Sequence, residues 1–547
     1  MPIRVALLLL ASATVILIGQ IERELLPPDD LREAEVAREM YVGGDYIVPR
    51  LAGLPFIEKP SGFPAVVATA YRIVGKPSAA AARLTAALFA LASLTAVFLL
   101  GRRILGIEGG SLAAAILAIS ERFCRTAHKV LLDNALTAAI AFAVFFTWIA
   151  LETTDVRKKR LTYAAAGFSL AVSFLFKGFV GPVIFGSGFL LYLIVSRRFG
   201  ELRHILRPLP VIVFLVPVLS WVVPFLLQAP SNLVQEFFIM NHSGRFIHGY
   251  GSHKGPIYFY LFNTWLEFAP GSIFLPLAIW MVWKTRSEWE KRAGIFFLSL
   301  FVGPLAVLSA SMAKCSVYFL PVYPALAMLV AWSVVKGLSS PGRRAKIFTW
   351  IIVMGAVLVA ATMIGMTSIH GGSIFSVATA IAVFVSAAAG CVISIRRNDL
   401  RWTTAWVAIL FVLGWILWFT GPMAEADVAR RSIRRPVVEA LSRVGNRDIV
   451  LYFPTDGLRG AAGFYRNRTA QEVTSPSLLV ARLTEDPNKT VALVYSAEDP
   501  LSHDLYETAQ AAGADLCIES QARFGRGYLF LVSIGLRTRE GKISSPF

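Results

Sequence analysis

Residues 3–21 read Ile-Arg-Val-Ala-Leu-Leu-Leu-Leu-Ala-Ser-Ala-Thr-Val-Ile-Leu-Ile-Gly-Gln-Ile, and residues 29–40 read Asp-Asp-Leu-Arg-Glu-Ala-Glu-Val-Ala-Arg-Glu-Met. The first stretch is close to the ~20 apolar residues that an α-helix needs to cross the hydrocarbon core of a membrane. The second is rich in charge but keeps apolar residues at helical spacing, among them Leu31, Val36 and Met40. Together they predict a membrane span followed by a charged helix outside the membrane.

The composition of the whole chain indicates the same class of protein. Of its 547 residues, 56% are hydrophobic and 16% are charged, and the mean hydropathy is +0.62. A soluble domain carries roughly 25% charged residues, so this chain needs lipid as its solvent. Its four cysteines lie far apart and show neither disulfide-type nor metal-type spacing: Cys124, Cys315, Cys391 and Cys517.

Hydropathy predicts a polytopic α-helical protein with about 13 membrane spans. The spans lie near residues 3–21, 80–101, 110–120, 131–151, 162–176, 178–196, 208–228, 269–283, 293–311, 317–335, 347–367, 373–395 and 402–420. The first could instead be a signal peptide cleaved at the Ala11-Ser12-Ala13 site, but the apolar run continues to Ile21, which favours a span.

Basic residues mark every second gap between these spans. The clusters include Arg102-Arg103, Arg157 to Arg160, Arg197-Arg198, Lys284 with Arg286, Arg343-Arg344 and Arg396-Arg397. Because cytoplasmic loops carry such clusters, the N-terminus is expected in the cytoplasm and the C-terminus outside. The clusters also account for much of the net charge of +18 as topological anchors, so we expect no nucleic-acid partner.

The first external segment, residues 22–79, is the richest in unusual residues. An amphipathic helix along the membrane surface is expected over residues 29–40, with the two leading aspartates capping it and a Gly-Gly pair ending it. A second such helix is expected around residues 62–74. Most acidic residues of the segment are expected to form a solvated helix face.

The polar residues 426–547 predict a small external α/β domain, beside a transmembrane domain over residues 1–425 with external loops 22–79 and 229–268. Strands are expected at 448–453, 491–495 and 528–533, and helices at 432–443, 475–484 and 501–512. This region has no glycine-rich phosphate loop and no catalytic triad pattern, which favours a binding or covering role.

Two aspartates stand out from the other acids of the first external segment. Asp29 and Asp30 follow Pro27-Pro28, whose restricted backbone holds a carboxylate near the membrane boundary, where a lipid head group would arrive. Further candidates lie elsewhere in the first external segment, at external span ends and in loop 229–268, and they are Glu58, Lys59, Asp133, Lys177, His242, Arg245, Lys314 and Tyr318. For Lys177, snorkelling to the membrane interface explains the residue equally well.

These residue types suit one class of reaction. When a sugar leaves a lipid phosphate, negative charge grows on the phosphate, and fixed Lys and Arg side chains stabilise that charge. A carboxylate can take a proton from an acceptor hydroxyl or orient the acceptor. Acids and bases on one membrane face therefore predict glycosyl transfer from a polyprenyl-phosphate sugar.

From residue 1 to 425 the chain resembles the bacterial lipid-A aminoarabinose transferases and their protein O-mannosyltransferase-like relatives, which have the C-type glycosyltransferase fold. The motifs that carry the resemblance follow one another in order: Asp29 to Met40, Gly44-Asp45, Pro49-Arg50-Leu51, Glu58-Lys59-Pro60, Asp133, Lys177-Gly178, His242 to Phe246, and Lys314 followed by Tyr318 and Pro321.

The resemblance implies Asp29 as the essential catalytic carboxylate, with Asp30 and Asp133 as further catalytic candidates. The residues implied around the donor phosphate or substrate are Arg32, Arg50, Lys59, Lys177, Arg245, Lys314 and Tyr318. It implies inverting transfer to a lipid-A-like acceptor on the external face of a bacterial inner membrane. It requires no cofactor, although a divalent metal would find ligands in Glu58 and His242.

Three departures from the family motif leave the sugar and the acceptor open. Asp30 replaces a glutamate, Glu33 replaces an aromatic residue, and the Phe56-Ile57 pair stands where a tyrosine is expected.

The first alternative to transfer onto a lipid-A-like acceptor is the same chemistry on a hydroxyl of a protein or another glycan. A lipid or sugar transporter would show paired repeats and charges near mid-span, whereas these charges lie at external span ends. A non-catalytic scaffold would leave the acids of the first external segment unexplained.

Overall fold

The computed structural model describes residues 3–249, 254–339, 430–496, 502–524 and 527–536, together with positions 378, 385, 389 and 428. The chain divides into two compact units. Unit 1 comprises residues 1–21, 58–63 and 83–426, and unit 2 comprises residues 22–57, 64–82 and 427–547.

The helices of the described residues follow in chain order. They are α1 (Ile3–Leu17), α2 (Asp29–Gly43), α3 (Gly62–Val74), α4 (Ala79–Ile119), α5 (Glu121–Ala127), α6 (Leu132–Glu152), α7 (Val156–Lys177), α8 (Val180–Ser196), α9 (Leu202–Ile205), α10 (Pro208–Gln228), α11 (Ser231–Gln235), α12 (Arg245–His248), α13 (Phe259–Glu267), α14 (Leu275–Lys284), α15 (Glu288–Ala310), α16 (Tyr323–Ser339), α17 (Arg434–Val444), α18 (Asp456–Arg466), α19 (Pro476–Glu485) and α20 (His503–Ala511). Short 3-10 segments cover Phe199–Glu201, Gly271–Phe274 and Ser316–Val322, and a π-helical segment covers Glu236–Gly244.

The strands of the described residues are β1 (Arg50–Leu51), β2 (Leu54–Pro55), β3 (Asp448–Tyr452), β4 (Gln471–Val473), β5 (Thr490–Ser496), β6 (Ala514–Phe524) and β7 (Gly527–Leu536). β1 and β2 form a small antiparallel hairpin, and the other five strands form one sheet.

Several helical segments of the described residues are long and apolar enough to cross a membrane. They are Ala79–Ile119, Leu132–Glu152, Pro208–Gln228, Glu288–Ala310 and Ser316–Gly337, and α13 with Gly271–Lys284 makes a sixth candidate, bent by 112°. The predicted polytopic helical class is confirmed. The expected spans at 347–367, 373–395 and 402–420 lie outside the described residues.

Three segments differ from the hydropathy prediction. The expected spans 80–101 and 110–120 form the single stretch α4, interrupted at Gly106, where φ is 79°. The expected span 269–283 belongs to the bent pair, because Pro270 has no amide hydrogen to continue a helix between its two halves. Helix α1 ends at Leu17, four residues before the end of the apolar run.

Aromatic side chains join three long helices in the core of unit 1. The ring of Trp148 on α6 lies 5.2 Å from that of Phe296 and 6.0 Å from that of Phe297, both on α15. Phe296 in turn packs edge-on against Tyr192 of α8 at 5.1 Å. Such ring pairs add to the attraction from packing alone, so they hold α6, which carries Asp133 in its first turn, against α15.

The sheet of unit 2 has the strand order β4-β3-β5-β7-β6. β3 pairs in parallel with β4 and β5, whereas β7 is antiparallel to β5 and β6. The predicted α/β class is confirmed, and the expected strands and helices correspond to β3, β5, β7, α17, α19 and α20. The sequence pattern does not predict α18, β4 or β6.

Within unit 2, helix α2 packs closely on α18. A Cβ atom added at Gly460 would lie 2.5 Å from the carbonyl oxygen of Leu31, and one added at Gly463 would lie 1.9 Å from Oε1 of Glu35. No larger residue fits at either position, because atoms of α2 already occupy the space. The two glycines therefore allow α18 to approach the backbone of α2 at Leu31 and the side chain of Glu35.

The predicted helix over residues 29–40 is confirmed as α2, and it ends before Gly44, whose φ is 72°. The expectation of a solvated acidic face is wrong, because three of its glutamates are buried: Glu33, Glu35 and Glu39. The expected capping is also wrong, since Pro28 precedes the first turn and Asp30 instead accepts a hydrogen bond from the backbone N of Leu26 at 3.1 Å.

Replacing Gly460 by alanine should loosen the contact between α2 and α18. Overpacking of this kind costs about 1–3 kcal/mol, so we expect Gly460→Ala to lower the thermal unfolding midpoint of the purified protein in detergent. The control is Gly43→Ala in α2, whose added Cβ would have no described atom within 4 Å. Equal midpoints for the two variants would contradict the close contact.

Candidate active site

A buried ion pair lies at the meeting point of two helix ends in unit 1. Lys177 is the last residue of α7, Asp133 lies in the first turn of α6, and their side chains, each 5% exposed, form the pair. The Lys177 ammonium also lies 4.4 Å from the ring centroid of Tyr318. Removing a charge from water is costly unless partners replace the water, and here a carboxylate and an aromatic face do so.

A second charged group of unit 1 contains Glu58, Lys59 and Arg245. Arg245 Nη2 lies 3.2 Å from Glu58 Oε1, and Lys59 Nζ lies 3.5 Å from Glu58 Oε2. These side chains are between one fifth and one third exposed. Both cations, and Asp133, lie within electrostatic range of Tyr318. The structure thus brings three cations and two carboxylates together around one tyrosine, and we call this set the Tyr318 cluster.

Lys314 has a different environment. Its buried ammonium donates to the carbonyl oxygens of Leu308, Ser309 and Ser311 at 3.0, 2.7 and 2.5 Å. An ammonium has three hydrogens to donate, and these carbonyls close the C-terminal end of α15. The geometry gives Lys314 a helix-ending role, and its predicted role in donor binding stays a prediction.

The predicted metal ligands are Glu58 and His242. Glu58 pairs with two cations, as described above, and His242 lies on the segment Glu236–Gly244, with its side chain outside the described structure. In the part of the chain that the structure describes, no group of three or more His, Cys, Asp or Glu residues is arranged to hold a metal ion. Metal binding at Glu58 and His242 therefore stays a prediction.

The two aspartates that open α2 in unit 2 have different surroundings. Asp30 is buried and accepts a backbone hydrogen bond from Leu26. The side chain of Asp29 is 34% exposed, and its Oδ1 accepts a hydrogen bond from Arg32 Nη2 at 3.1 Å. Of the two, Asp29 has the accessible carboxylate, whereas Asp30 holds the start of the helix.

Arg32 is mostly buried, and only 11% of its side chain is exposed. Its guanidinium contacts Asp29 as well as Asp456 of α18 at 3.4 Å and lies 5.8 Å from the ring centroid of Phe56. Arg50 is exposed, and its Nη1 donates to the carbonyl oxygen of Gly53 at 3.3 Å, within its own hairpin. The structure therefore links Arg32, but not Arg50, to the candidate carboxylate.

Sequence reasoning missed the Glu35–Arg38 pair, the most deeply buried ion pair among the described residues of unit 2. Arg38 donates from Nε and Nη2 to the two carboxylate oxygens of Glu35, both at 2.7 Å, and from Nη2 to Thr469 Oγ1 at 3.2 Å. Burial raises the pKa of Glu35, and the neighbouring Arg38 guanidinium opposes this shift. The three-residue spacing of Glu35 and Arg38 on one helix was the signal that could have revealed the pair.

Comparison with known proteins supports the resemblance that the motifs predict. Residues 58–226 match the family model described as dolichyl-phosphate-mannose-protein mannosyltransferase. An undecaprenyl phosphate-alpha-4-amino-4-deoxy-L-arabinose arabinosyl transferase 2 of Pseudomonas fluorescens is 29% identical over 369 residues, which are 66% of this chain and 62% of that protein. The predicted resemblance is confirmed. A corresponding transferase of Edwardsiella ictaluri is 29% identical over 326 residues, which are 59% of this chain and 58% of the relative. The chain thus spans less than two thirds of the length of either relative.

Solved structures show the fold. ArnT from Cupriavidus metallidurans, crystallised with undecaprenyl phosphate, has a TM-score of 0.77 at 21% sequence identity, and the similarity covers 96% of this chain and 97% of that one. Its apo state gives a TM-score of 0.74 over the same shares of the two chains. The predicted C-type glycosyltransferase fold with a small C-terminal sheet domain is therefore confirmed.

Replacing Arg38 by methionine should strongly destabilise unit 2, because the Glu35 carboxylate would stay buried without its partner. Breaking one side of a buried pair costs about 3–5 kcal/mol. The control is Arg482→Met, which removes an exposed pair with Glu485 and should cost less than about 1 kcal/mol. Thermal unfolding of both purified variants checks this. A midpoint for Arg38→Met equal to that of Arg482→Met would show that the pair does not stabilise the fold.

Proposed function

We propose that the protein is an integral membrane glycosyltransferase that moves a sugar from a polyprenyl-phosphate carrier to a lipid-A-like acceptor. The observation that carries the proposal is the Tyr318 cluster, in which the Lys177 ammonium lies 4.4 Å from the Tyr318 ring centroid, and Lys59 and Arg245 both pair with Glu58. Fixed cations in a water-poor site are suited to a phosphate anion.

The net charge of the Tyr318 cluster is complementary to the charge of the donor. Its three cations and two carboxylates, Glu58 and Asp133, leave one net positive charge, and a sugar–phosphate–lipid diester carries one negative charge. When the sugar leaves, the phosphate becomes a monoester and gains further negative charge. Interactions that strengthen as this charge develops accelerate the reaction. Lys177 can exchange part of its contact with Asp133 for a phosphate oxygen.

The proposed reaction is a single displacement at the anomeric carbon. An acceptor oxygen forms a bond to that carbon as the bond to the phosphate oxygen breaks, and the electron pair leaves with the polyprenyl phosphate, which inverts the configuration. We assign the catalytic carboxylate to Asp29, because it is accessible whereas Asp30 is buried. With a hydroxyl acceptor Asp29 takes the proton, and with a lipid-A phosphate, already an anion, it orients the acceptor.

The names of the relatives support this substrate class. Both relatives described above are named as undecaprenyl-phosphate aminoarabinose transferases.

We place the protein in a bacterial inner membrane, with its N-terminus in the cytoplasm, because the basic clusters follow the positive-inside pattern. We assign residues 1–425 to the transmembrane domain and residues 426–547 to an external domain, as the sequence pattern predicts.

A transfer assay tests the proposal. The purified protein is incubated with a panel of radiolabelled polyprenyl-phosphate sugars and with lipid A or peptide acceptors. We expect wild type to transfer at least one sugar and Asp29→Asn to be slower by roughly 100-fold or more, since a positioned carboxylate contributes about that much. Asp486→Asn is the matched control, because Asp486 is a partly exposed aspartate paired with Lys489 at 2.8 Å.

Two outcomes would contradict the proposal. Full activity of Asp29→Asn would remove Asp29 from the reaction. A wild-type protein that transfers no sugar but moves labelled lipid across a bilayer would make it a transporter. The acceptor arms separate lipid A from a peptide hydroxyl as the natural target class.

A further inference from the structure

Arg32 contacts three carboxylates on two helices of unit 2: Asp29 and Glu33 on α2, the latter at 3.5 Å from Nη2, and Asp456 on α18. Its Nη2 lies 3.1 Å from Asp29 Oδ1 on α2, and its Nη1 lies 3.4 Å from Asp456 Oδ2 on α18. The two terminal nitrogens of one guanidinium thus contact different partners: Nη2 contacts the candidate catalytic residue, and Nη1 contacts the C-terminal α/β region.

Asp456 is itself held in place from the other side. Arg459 Nη1 donates to Asp456 Oδ1 at 2.7 Å. The same arginine donates from Nε and Nη2 to the two oxygens of Glu472 on β4, both at 2.8 Å. Such two-point arginine–carboxylate contacts fix geometry as well as charge. The five residues form a chain of alternating charge that we call the acid–base chain: Glu472, Arg459, Asp456, Arg32 and Asp29.

The way in which the two terminal nitrogens of Arg32 are shared between carboxylates determines how many oxygens of Asp29 they occupy. If both terminal nitrogens turned to Asp29, they would occupy both of its carboxylate oxygens. Because Asp456 takes Nη1, the described hydrogen bond from Arg32 engages Oδ1 of Asp29 only. The Asp29 side chain is one third exposed, so Oδ2 can face a substrate.

We propose that Asp456 is a positioning residue for sugar transfer: it holds Arg32 so that Asp29 presents one oxygen to the substrate. The C-terminal α/β region then contributes to the reaction through α18 rather than only covering the protein. This inference rests on the proposed function, since it assigns Asp456 a role through Asp29.

Asp456 is not needed to hold α2 on α18. The close approaches of Gly460 to the Leu31 backbone and of Gly463 to the Glu35 side chain already join the two helices, and Arg38 of α2 also donates to Thr469, which follows α18. The side chain of Asp456 is 38% exposed, and ion pairs at such exposure add little to stability. Removing its charge should therefore leave the fold intact and change the reaction, which separates a positioning role from a structural one.

The test compares steady-state kinetics of wild type, Asp456→Asn, Asp456→Glu and the control Asp486→Asn in the transfer assay. We expect Asp456→Asn to lower kcat by about fivefold or more, with the KM for the lipid donor within about twofold and an unchanged unfolding midpoint. Asp456→Glu should recover part of the loss, because its carboxylate can still reach Arg32. Asp486→Asn should match wild type.

A double-mutant cycle with Arg32→Gln decides whether Asp456 acts through Arg32. If it does, Asp456→Asn should change kcat less than about twofold in the Arg32→Gln background. Independent, multiplying effects of the two substitutions would overturn the inference. So would a wild-type kcat for Asp456→Asn, or a loss that only follows a lower unfolding midpoint.

These failures differ from a failure of the proposed function. If Asp29→Asn is inactive while Asp456→Asn behaves as wild type, the proposed function stands and the positioning role falls. If Asp29→Asn is fully active, the catalytic assignment itself falls, and the positioning role falls with it.

Discussion

The cost of burying charge away from water constrains both units of this protein. A buried ion without a partner costs several kcal/mol, and partial pairing recovers only part of that cost. In unit 1, Lys177 and Asp133 are each 5% exposed, and in unit 2, Glu35 and Arg38 are at most 1% exposed. The end of α7 and the start of α6 must therefore meet where Lys177 reaches Asp133, whereas Glu35 and Arg38 already face each other on α2.

The two pairs satisfy this constraint in different ways. Glu35 and Arg38 share two hydrogen bonds of 2.7 Å, and Arg38 also donates to Thr469, so the pair has the geometry of a structural contact. Lys177 has one carboxylate contact and the face of an aromatic ring, beside further cations at Tyr318. A cation with such weakly directional partners can turn toward an incoming anion, which is the behaviour that a lipid-phosphate site requires.

The sequence predicts the membrane class and much of α2, because apolar length and a terminal glycine are local signals. It does not predict α18, whose Gly457, Gly460 and Gly463 disfavour a helix when judged by propensity alone. Gly460 and Gly463 are required once α2 packs against the helix, and Gly457 lies against Pro27, so tertiary contact outweighs local preference. The buried acids of α2 were missed for the same reason, since their burial depends on a partner more than 400 residues away along the chain. Lys59, Lys177, Arg245 and Tyr318 could be named from motifs, but their arrangement around one ring follows only from the fold.

The most direct test of this account removes Lys177 first alone and then together with its partner Asp133. Thermal unfolding and equilibrium binding of radiolabelled undecaprenyl phosphate are measured for wild type, Lys177→Met and the double variant Asp133→Asn/Lys177→Met. Replacing both partners of a buried pair often restores stability. If Lys177 binds the donor phosphate, the double variant should unfold near the wild-type midpoint yet bind at least about tenfold more weakly, a loss of ~1.4 kcal/mol. Wild-type affinity in a stable double variant would show that the pair is only structural and would contradict the account.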